Sequence, residues 1–328
     1  MTEPEISRGA RIPRVAIVGT GFVGSTTAYA LLISGMAVEV VMVDRDQRRA
    51  LRHVNDLRDA EVFSHGARVG LGEFTDCCSA DVIIITAGAS QAGMKSRLDG
   101  LKETAAMLNG LILDVSRHSP HGIFLIASNP VDVLTYAAWK WSGLPASQVV
   151  GSGTSLDTAR FRRRLAERFG VGSDNVHAYI VGEHGDSQIA LLSSARVAGM
   201  PLEGLCRQLG LSYEENALQR IATETRTAGL EIVDAKGATY FGIGAALARI
   251  VSAILGDENA VITVSSLVPK SMGLGELSLS LPAIINRRGV ERVLELPLSA
   301  AELKALQISA ETLKQHASYL DLSHGTAG

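Results

Sequence analysis

Four apolar residues, Val15-Ala16-Ile17-Val18, run straight into Gly19-Thr20-Gly21-Phe22-Val23-Gly24, and a helical stretch of small and apolar residues follows. Few local patterns constrain a fold as tightly. The spacing predicts a buried strand, a tight turn and a helix whose first backbone amides face outward. The first glycine permits the turn, the second lets a phosphate approach the backbone, and the third lets the helix pack on the strand. Amides and helix dipole together then attract an anion. A second apolar run ends at Asp44, twenty residues beyond Gly24, where a carboxylate can accept hydrogen bonds from ribose hydroxyls. This context predicts a dinucleotide site. The charge of Asp44 favours NAD over 2′-phosphorylated NADP, although Arg45 stands beside it and a turn or helix-cap aspartate is the alternative reading.

The same alternation continues along the chain. β-branched runs at 15–18, 38–43, 82–86, 123–127 and 149–150 read as buried strands, and 22–35, 46–58, 98–117 and 131–141 have helical length and composition. Apolar strands separated by helices imply a parallel sheet covered on both faces. The expected fold class is α/β: a doubly wound parallel sheet (Rossmann) over 14–153, with a second, mixed α+β substrate domain over 154–328. In the latter, helices at 155–169, 212–234 and 238–255 accompany strand-like runs at 176–181, 189–197, 261–268 and 276–285. Ser299-Ala300-Ala301-Glu302 is a capping-box pattern that opens a final helix to about His316. Residues 1–13 lack periodicity and read as an N-terminal arm.

Composition narrows the function classes. A net charge of −3 offers no polycation for nucleic acid, and no run of about 18 apolar residues is present to span a membrane. The opening residues lack a basic-then-apolar leader, so a cytoplasmic location is expected. Three cysteines without CxxC spacing argue against a disulfide framework and a Cys-only zinc site. Without HExxH or GxSxG, metal hydrolysis and nucleophilic-serine chemistry are excluded, and no metal is expected.

A hydride carrier needs a partner for the accompanying proton. Gly182-Glu183-His184-Gly185-Asp186-Ser187 holds an imidazole between two glycines after an apolar run, and imidazole is the side chain that titrates near neutrality. A solvated or simply hydrogen-bonded histidine is the plain alternative. Asp157 and Arg160, three residues apart near the start of a helix, share a face that presents a carboxylate to His184 and a guanidinium to substrate. For an isolated pair, a surface ion pair would explain them equally well.

Six motifs taken in order resemble those of the lactate/malate dehydrogenase family. They are Gly19-x-Gly21-x-x-Gly24, Asp44, the loop from Thr86-Ala87-Gly88-Ala89-Ser90-Gln91 to Arg97, Ser128-Asn129-Pro130-Val131-Asp132, Leu156-Asp157-x-x-Arg160, and Gly182-Glu183-His184-Gly185-Asp186. The resemblance covers residues 14–317 and implies a role for each site. NAD is held by the glycine turn with Phe22 and Val23, by Asp44, by Thr86, Ala87 and Gly88, and by Asn129 and Ile243. His184 is the general acid/base and Asp157 its orienting carboxylate, which raises the histidine pKa. Arg160 anchors the substrate carboxylate as a planar fork, and Arg97 polarises the ketone. Asn129 hydrogen-bonds substrate oxygen beside a cis peptide to Pro130, and Thr239 lines the pocket. Taken alone, Arg97 reads as a solvated helix residue, and Thr239 and Ile243 as helix packing.

Within the family, the residue six positions before Arg97 divides substrates: glutamine accompanies lactate and arginine accompanies malate. Gln91 therefore implies reduction of pyruvate to L-lactate, because a second substrate carboxylate in a dry pocket would need a cation. Oxaloacetate/malate is the alternative. The loop Gln91-Ala92-Gly93-Met94-Lys95-Ser96-Arg97 departs from the usual pattern, with its glycine one residue early, no proline, and Lys95 where glutamate is common. Resemblance to bacterial members implies a tetrameric homo-oligomer in which Arg162 and His177 line a fructose 1,6-bisphosphate site between subunits. One arginine of a solvated basic run and an ordinary strand-end histidine would account for them otherwise. A non-catalytic NAD-binding sensor would need the glycine loop without His184, Asp157, Arg160 and Arg97 together.

Overall fold

The computed structural model describes residues 11–64, 66–88, 97–118 and 121–322, less the side chains of 97–99 and 118. Six parallel strands come first: β1 (Arg14–Val18), β2 (Glu39–Val43), β3 (Arg68–Gly72), β4 (Val82–Ile85), β5 (Ile123–Ile126) and β6 (Val149–Gly151). Helices α1 (Phe22–Ile33), α2 (Gln47–Glu61), α3 (Arg97–His118) and α4 (Val131–Ser142) connect them. The strand order β3-β2-β1-β4-β5-β6 reverses between β1 and β4. That reversal opens a crevice at the carboxyl ends of the strands, where doubly wound sheets bind ligands.

The remaining elements are α5 (Ser155–Phe169), β7 (Val176–His177), β8 (Ile180–Val181), β9 (Ile189–Ala190), β10 (Arg196–Val197), β11 (Met200–Pro201), α6 (Leu202–Leu209), α7 (Glu215–Lys236), α8 (Phe241–Leu255), β12 (Ala260–Leu267), β13 (Ser278–Asn286), β14 (Gly289–Val293) and α9 (Ala300–Ala317). The long strands β12, β13 and β14 form an antiparallel meander. It extends the parallel sheet through the pairing of Ser265 with Gly151, giving nine strands in one sheet. Gly151 is tightly enclosed, and a Cβ at Gly153 (φ +50°) would lie 2.5 Å from the Ser265 amide nitrogen.

Several elements differ from the sequence expectation. Strand β3 has two glycines and alternating exposure; its order comes from pairing with β2 over five residues, which no local pattern announces. The expected strands 176–181 and 189–197 each break into two short pieces that pair in different sheets. Helix α6 and strands β11 and β14 lie in segments without a predicted element. Helix α8 begins at Phe241, after Gly237 ends α7 at φ +82°, so Thr239 lies in the connection between two helices. The expected capping box at Ser299 and Glu302 is present.

Apolar residues gather into three clusters. Two lie against opposite faces of the large sheet, and the third joins α5, α6, α7, β7 and β10 around Phe161. Phe161 is fully buried on α5, one residue after Arg160 and four after Asp157, so the packing that holds α5 also aims its polar face. Phe161→Ala is expected to cost about 3–5 kcal/mol in urea denaturation, with loss of turnover at temperatures where the variant is still folded.

Candidate active site

The turn after β1 is built for a phosphate. Gly19 sits at φ +103°, and an added Cβ would lie 2.7 Å from the Ala87 amide nitrogen. A Cβ on Gly24 would run into the Gly19 carbonyl oxygen. Gly21, by contrast, faces open space as the N-cap of α1, with no side chain capping the helix. The first amides of α1 are therefore left for an outside acceptor. The Thr86 hydroxyl donates to the Gly19 carbonyl at 2.8 Å and its amide to Val18 at 2.9 Å, which holds Thr86, Ala87 and Gly88 beside the turn.

Asp44 follows β2 directly. Its Oδ2 accepts from the Thr20 amide (2.7 Å), the Thr20 hydroxyl (2.8 Å) and Arg49 Nη2 (2.8 Å), and its Oδ1 accepts from the Asp46 amide (2.9 Å). Burial alone would raise this carboxyl; the donors outweigh it and hold the pKa at about 2. The charge that would repel a 2′-phosphate is thus permanent at neutral pH. Arg49, not Arg45, is the cation in contact with it. Phe22 stacks on Tyr240 with ring centroids 5.1 Å apart, and a Cβ on Gly244 would lie 2.8 Å from Thr26 Cγ2. This close packing of α8 on α1 sets Ile243 against the core cluster that α1 also joins, with Thr239 in the connection just before α8. An uncapped helix, open space at Gly21 and an ionised carboxylate fit NAD.

The second half of the site begins at the end of β5, where Asn129 is exposed and its peptide bond to Pro130 is cis. Helix α5 is latched to β8 by two threonines. Thr154 donates its hydroxyl to the Ile180 carbonyl at 2.6 Å, and Thr158 accepts from the Ile180 amide at 3.0 Å. Between those latches, Asp157 points at the loop that follows β8. Its Oδ2 lies 2.7 Å from His184 Nδ1, and its Oδ1 accepts from Arg160 Nη1 at 3.1 Å. Asp157 is 4% exposed, whereas His184 keeps 30% of its side chain open to solvent. Arg160 is 14% exposed, so the three groups meet at the rim of the interior.

The electrostatics of this trio follow from its contacts. Burial pulls the His184 imidazole down, but the Asp157 hydrogen bond and charge, with Asp132 behind them, more than reverse this and raise it above its ordinary 6.5. Burial pushes Asp157 up, and His184 and Arg160 together bring it below its ordinary 3.8.

Asp132 joins the site beside His184; the motif contained it, but the sequence marks no role for it. Only 2% exposed in the first turn of α4, it accepts from the His184 amide at 2.7 Å and from the Ser280 hydroxyl at 2.9 Å. Burial pushes its carboxyl up despite these donors. The available signal was one carboxylate within the apolar run Val131-Asp132-Val133-Leu134.

Of the other expected site residues, Gln91 and the side chain of Arg97 lie outside the described residues. Arg162 is half-buried. Its Nε donates to the Ala178 carbonyl at 2.9 Å and its guanidinium lies 4.9 Å from the Tyr179 ring centre, while His177, the last residue of β7, is exposed. Burial lowers the Arg162 pKa. No group of histidine, cysteine and carboxylate side chains suited to a metal occurs among the described residues, and no described helix is long and apolar enough to cross a membrane.

A dinucleotide cradle beside a histidine able to exchange protons defines the class: an NAD-dependent dehydrogenase. Residues 13–151 match the NAD binding domain of lactate/malate dehydrogenases, and residues 154–319 match their alpha/beta C-terminal domain. The chain belongs to the lactate/malate dehydrogenase family. It is 46% identical over 307 residues to the L-lactate dehydrogenase of Thermus aquaticus, covering 94% of this chain and 99% of that one. It is 44% identical over 302 residues to that of Geobacillus thermodenitrificans, covering 92% and 95%. A crystal structure of the minor L-lactate dehydrogenase from Enterococcus mundtii superposes with a TM-score of 0.91 at 39% identity, covering 95% of this chain and 99% of that one.

Two outcomes are expected. With its pKa raised, His184 contributes pairing stability in full below 6.5 and loses it as pH rises through the folded value; with its pKa lowered, Asp157 contributes above 3.8 and loses it as pH falls. Asp157→Asn should therefore cost most in denaturant unfolding at about pH 5, and less at about pH 8. In fluorescence titrations NADH should bind more tightly than NADPH, and Asp44→Ser should narrow the gap by roughly tenfold or more.

Proposed function

We propose that this chain is an L-lactate dehydrogenase that reversibly reduces pyruvate to L-lactate with NADH. One observation carries the reading: a single buried carboxylate, Asp157, holds both the ring of His184 and the guanidinium of Arg160. Relatives named as L-lactate dehydrogenases support pyruvate over oxaloacetate, as does the uncharged Gln91.

Bound NADH supplies the hydride. The other tasks fall to this chain's own side chains. Protonated His184 donates its Nε2 proton to the ketone oxygen as that oxygen gains charge, and neutral His184 takes the hydroxyl proton in the reverse direction. Because Asp157 occupies Nδ1, Nε2 is the exchanging nitrogen. Arg160 binds the substrate carboxylate through the N–H groups that Asp157 leaves free. Arg97 polarises the ketone and Asn129 donates to the same oxygen. Gln91 and Thr239 would border the methyl group, and Ile243 would lie against the nicotinamide when NAD is bound.

The chain divides into a cofactor domain (14–153) and a substrate domain (154–328), a reading supported by the separate matches to 13–151 and 154–319. It works in the cytoplasm as a homotetramer. Arg162 of α5, held at the Ala178 carbonyl next to exposed His177, supports an anion site for fructose 1,6-bisphosphate where two subunits meet.

Steady-state kinetics test these statements. kcat/KM for pyruvate should exceed that for oxaloacetate by roughly tenfold or more, and Gln91→Arg should reverse the order by pairing the second carboxylate. A wild-type preference for oxaloacetate would overturn the substrate reading. Fructose 1,6-bisphosphate should lower the KM for pyruvate and Arg162→Ala should abolish that response; an unchanged saturation curve removes the regulatory site.

A further inference from the structure

The loop that carries His184 is held at successive backbone positions by different elements. Gly182 exchanges hydrogen bonds with Ser280 of β13, at 2.9 Å and 3.1 Å. The Glu183 amide donates to the hydroxyl of Ser309 on α9 at 2.7 Å, and the His184 amide donates to Asp132 on α4 at 2.7 Å. The Ser309 contact stands apart for its distance along the chain, 126 residues, and its burial: Ser309 is 0% exposed.

The Ser309 and Ser187 hydroxyl oxygens are 2.9 Å apart, and the Ser187 hydroxyl also reaches Glu183 Oε2. Each hydroxyl has one hydrogen, and an ionised carboxylate can only accept. Ser187 therefore donates to Glu183, and Ser309 donates to Ser187 while accepting from the Glu183 amide. The result is a closed circuit that leaves Glu183 by its amide, passes through two hydroxyls and returns to its own carboxylate. It fixes backbone and side chain of the residue immediately before His184. The fit is tight as well as polar, since a Cβ on Gly182 (φ +93°) would lie 2.9 Å from Ser309 Oγ.

Helix α9 can bear this role because it is itself anchored. Leu306, Ala310 and Leu313 are buried in the same core as α4. Its capping Glu302 also accepts from the Ser193 amide at 3.1 Å and hydroxyl at 2.5 Å, in the chain beyond β9.

We propose that Ser309 is a positioning residue for the proton-transfer loop: it locks Glu183 through the Ser187 circuit and so holds the His184 ring in line with Asp157. The inference rests on the reading of His184 as proton donor and acceptor. Losing the lock lets the loop drift, and small misplacements of reacting groups are costly in rate.

The test measures His184 directly, so that it does not depend on substrate identity. In the wild-type holoenzyme and in Ser309→Ala, histidine-labelled NMR follows the titration of His184, alongside kcat and the KM for NADH. Ser309→Ala should titrate at lower pH than wild type, as the Asp157 contact loosens, with kcat down roughly tenfold and the KM for NADH within about twofold. Ser187→Ala breaks the circuit without touching the core and should move the titration in the same direction by less; it decides the matter should Ser309→Ala fail to fold. An unshifted His184 titration in the folded variants overturns the proposal. A shifted titration in a protein that turns over no 2-oxo acid would uphold the lock and overturn the dehydrogenase reading instead.

Discussion

The site depends on one short hydrogen bond, 2.7 Å between Asp157 and His184 Nδ1. A buried carboxylate is unfavourable unless paired, and Asp157 is paired on both oxygens, with His184 and Arg160. That satisfies the aspartate and at the same time sets the tautomer and charge of the imidazole. Because the two partners sit on different elements, α5 and the loop after β8, the bond exists only while those elements stay in register. The Thr154 and Thr158 latches to Ile180 maintain that register. The core around Phe161 stands behind them.

The cofactor half is governed by backbone proximity. At Gly19 and Gly24 there is no volume for a side chain, and at Gly21 there is volume that the chain leaves open. Strand, turn and helix thus approach closely enough to present bare amides, while Asp44 beyond β2 carries a charge kept ionised by four hydrogen bonds. The reversal of strand order between β1 and β4 joins the two halves, since the carboxyl ends of β1, β2, β4 and β5 all open on one crevice.

Much of the fold was legible because the parallel strands are buried on both faces and read as apolar runs. Strands β1, β2, β4 and β5 and helices α1, α4 and α5 lie within a few residues of their expected bounds. Edge strand β3 was invisible, because its glycine-rich alternating sequence takes its conformation from β2. The run 176–181 reads as one strand because all but His177 are apolar or aromatic, yet Ala178 and Tyr179 separate two pieces with different partners. In the site, His184, Asp157 and Arg160 stood out as titratable residues near glycines and a helix start. Asp132 and Ser309 did not: the first was masked by its apolar neighbours, and the second is one serine among many in a helix with no local mark of use.

By itself the sequence determined the chemistry available: a glycine turn open to a phosphate, a carboxylate at the ribose end, an imidazole free to turn between glycines, a guanidinium one helical step from an aspartate. Residue type and short-range spacing suffice for that, because helices, turns and buried strands impose their periods locally. Only the tertiary structure decided which of these groups meet. The joining of β12 to β6 in one sheet and the grip of α4 and α9 on adjacent amides of the His184 loop are contacts across tens to more than a hundred residues. Their free energy comes from burial and packing shared among elements, and no local stretch of sequence contains it.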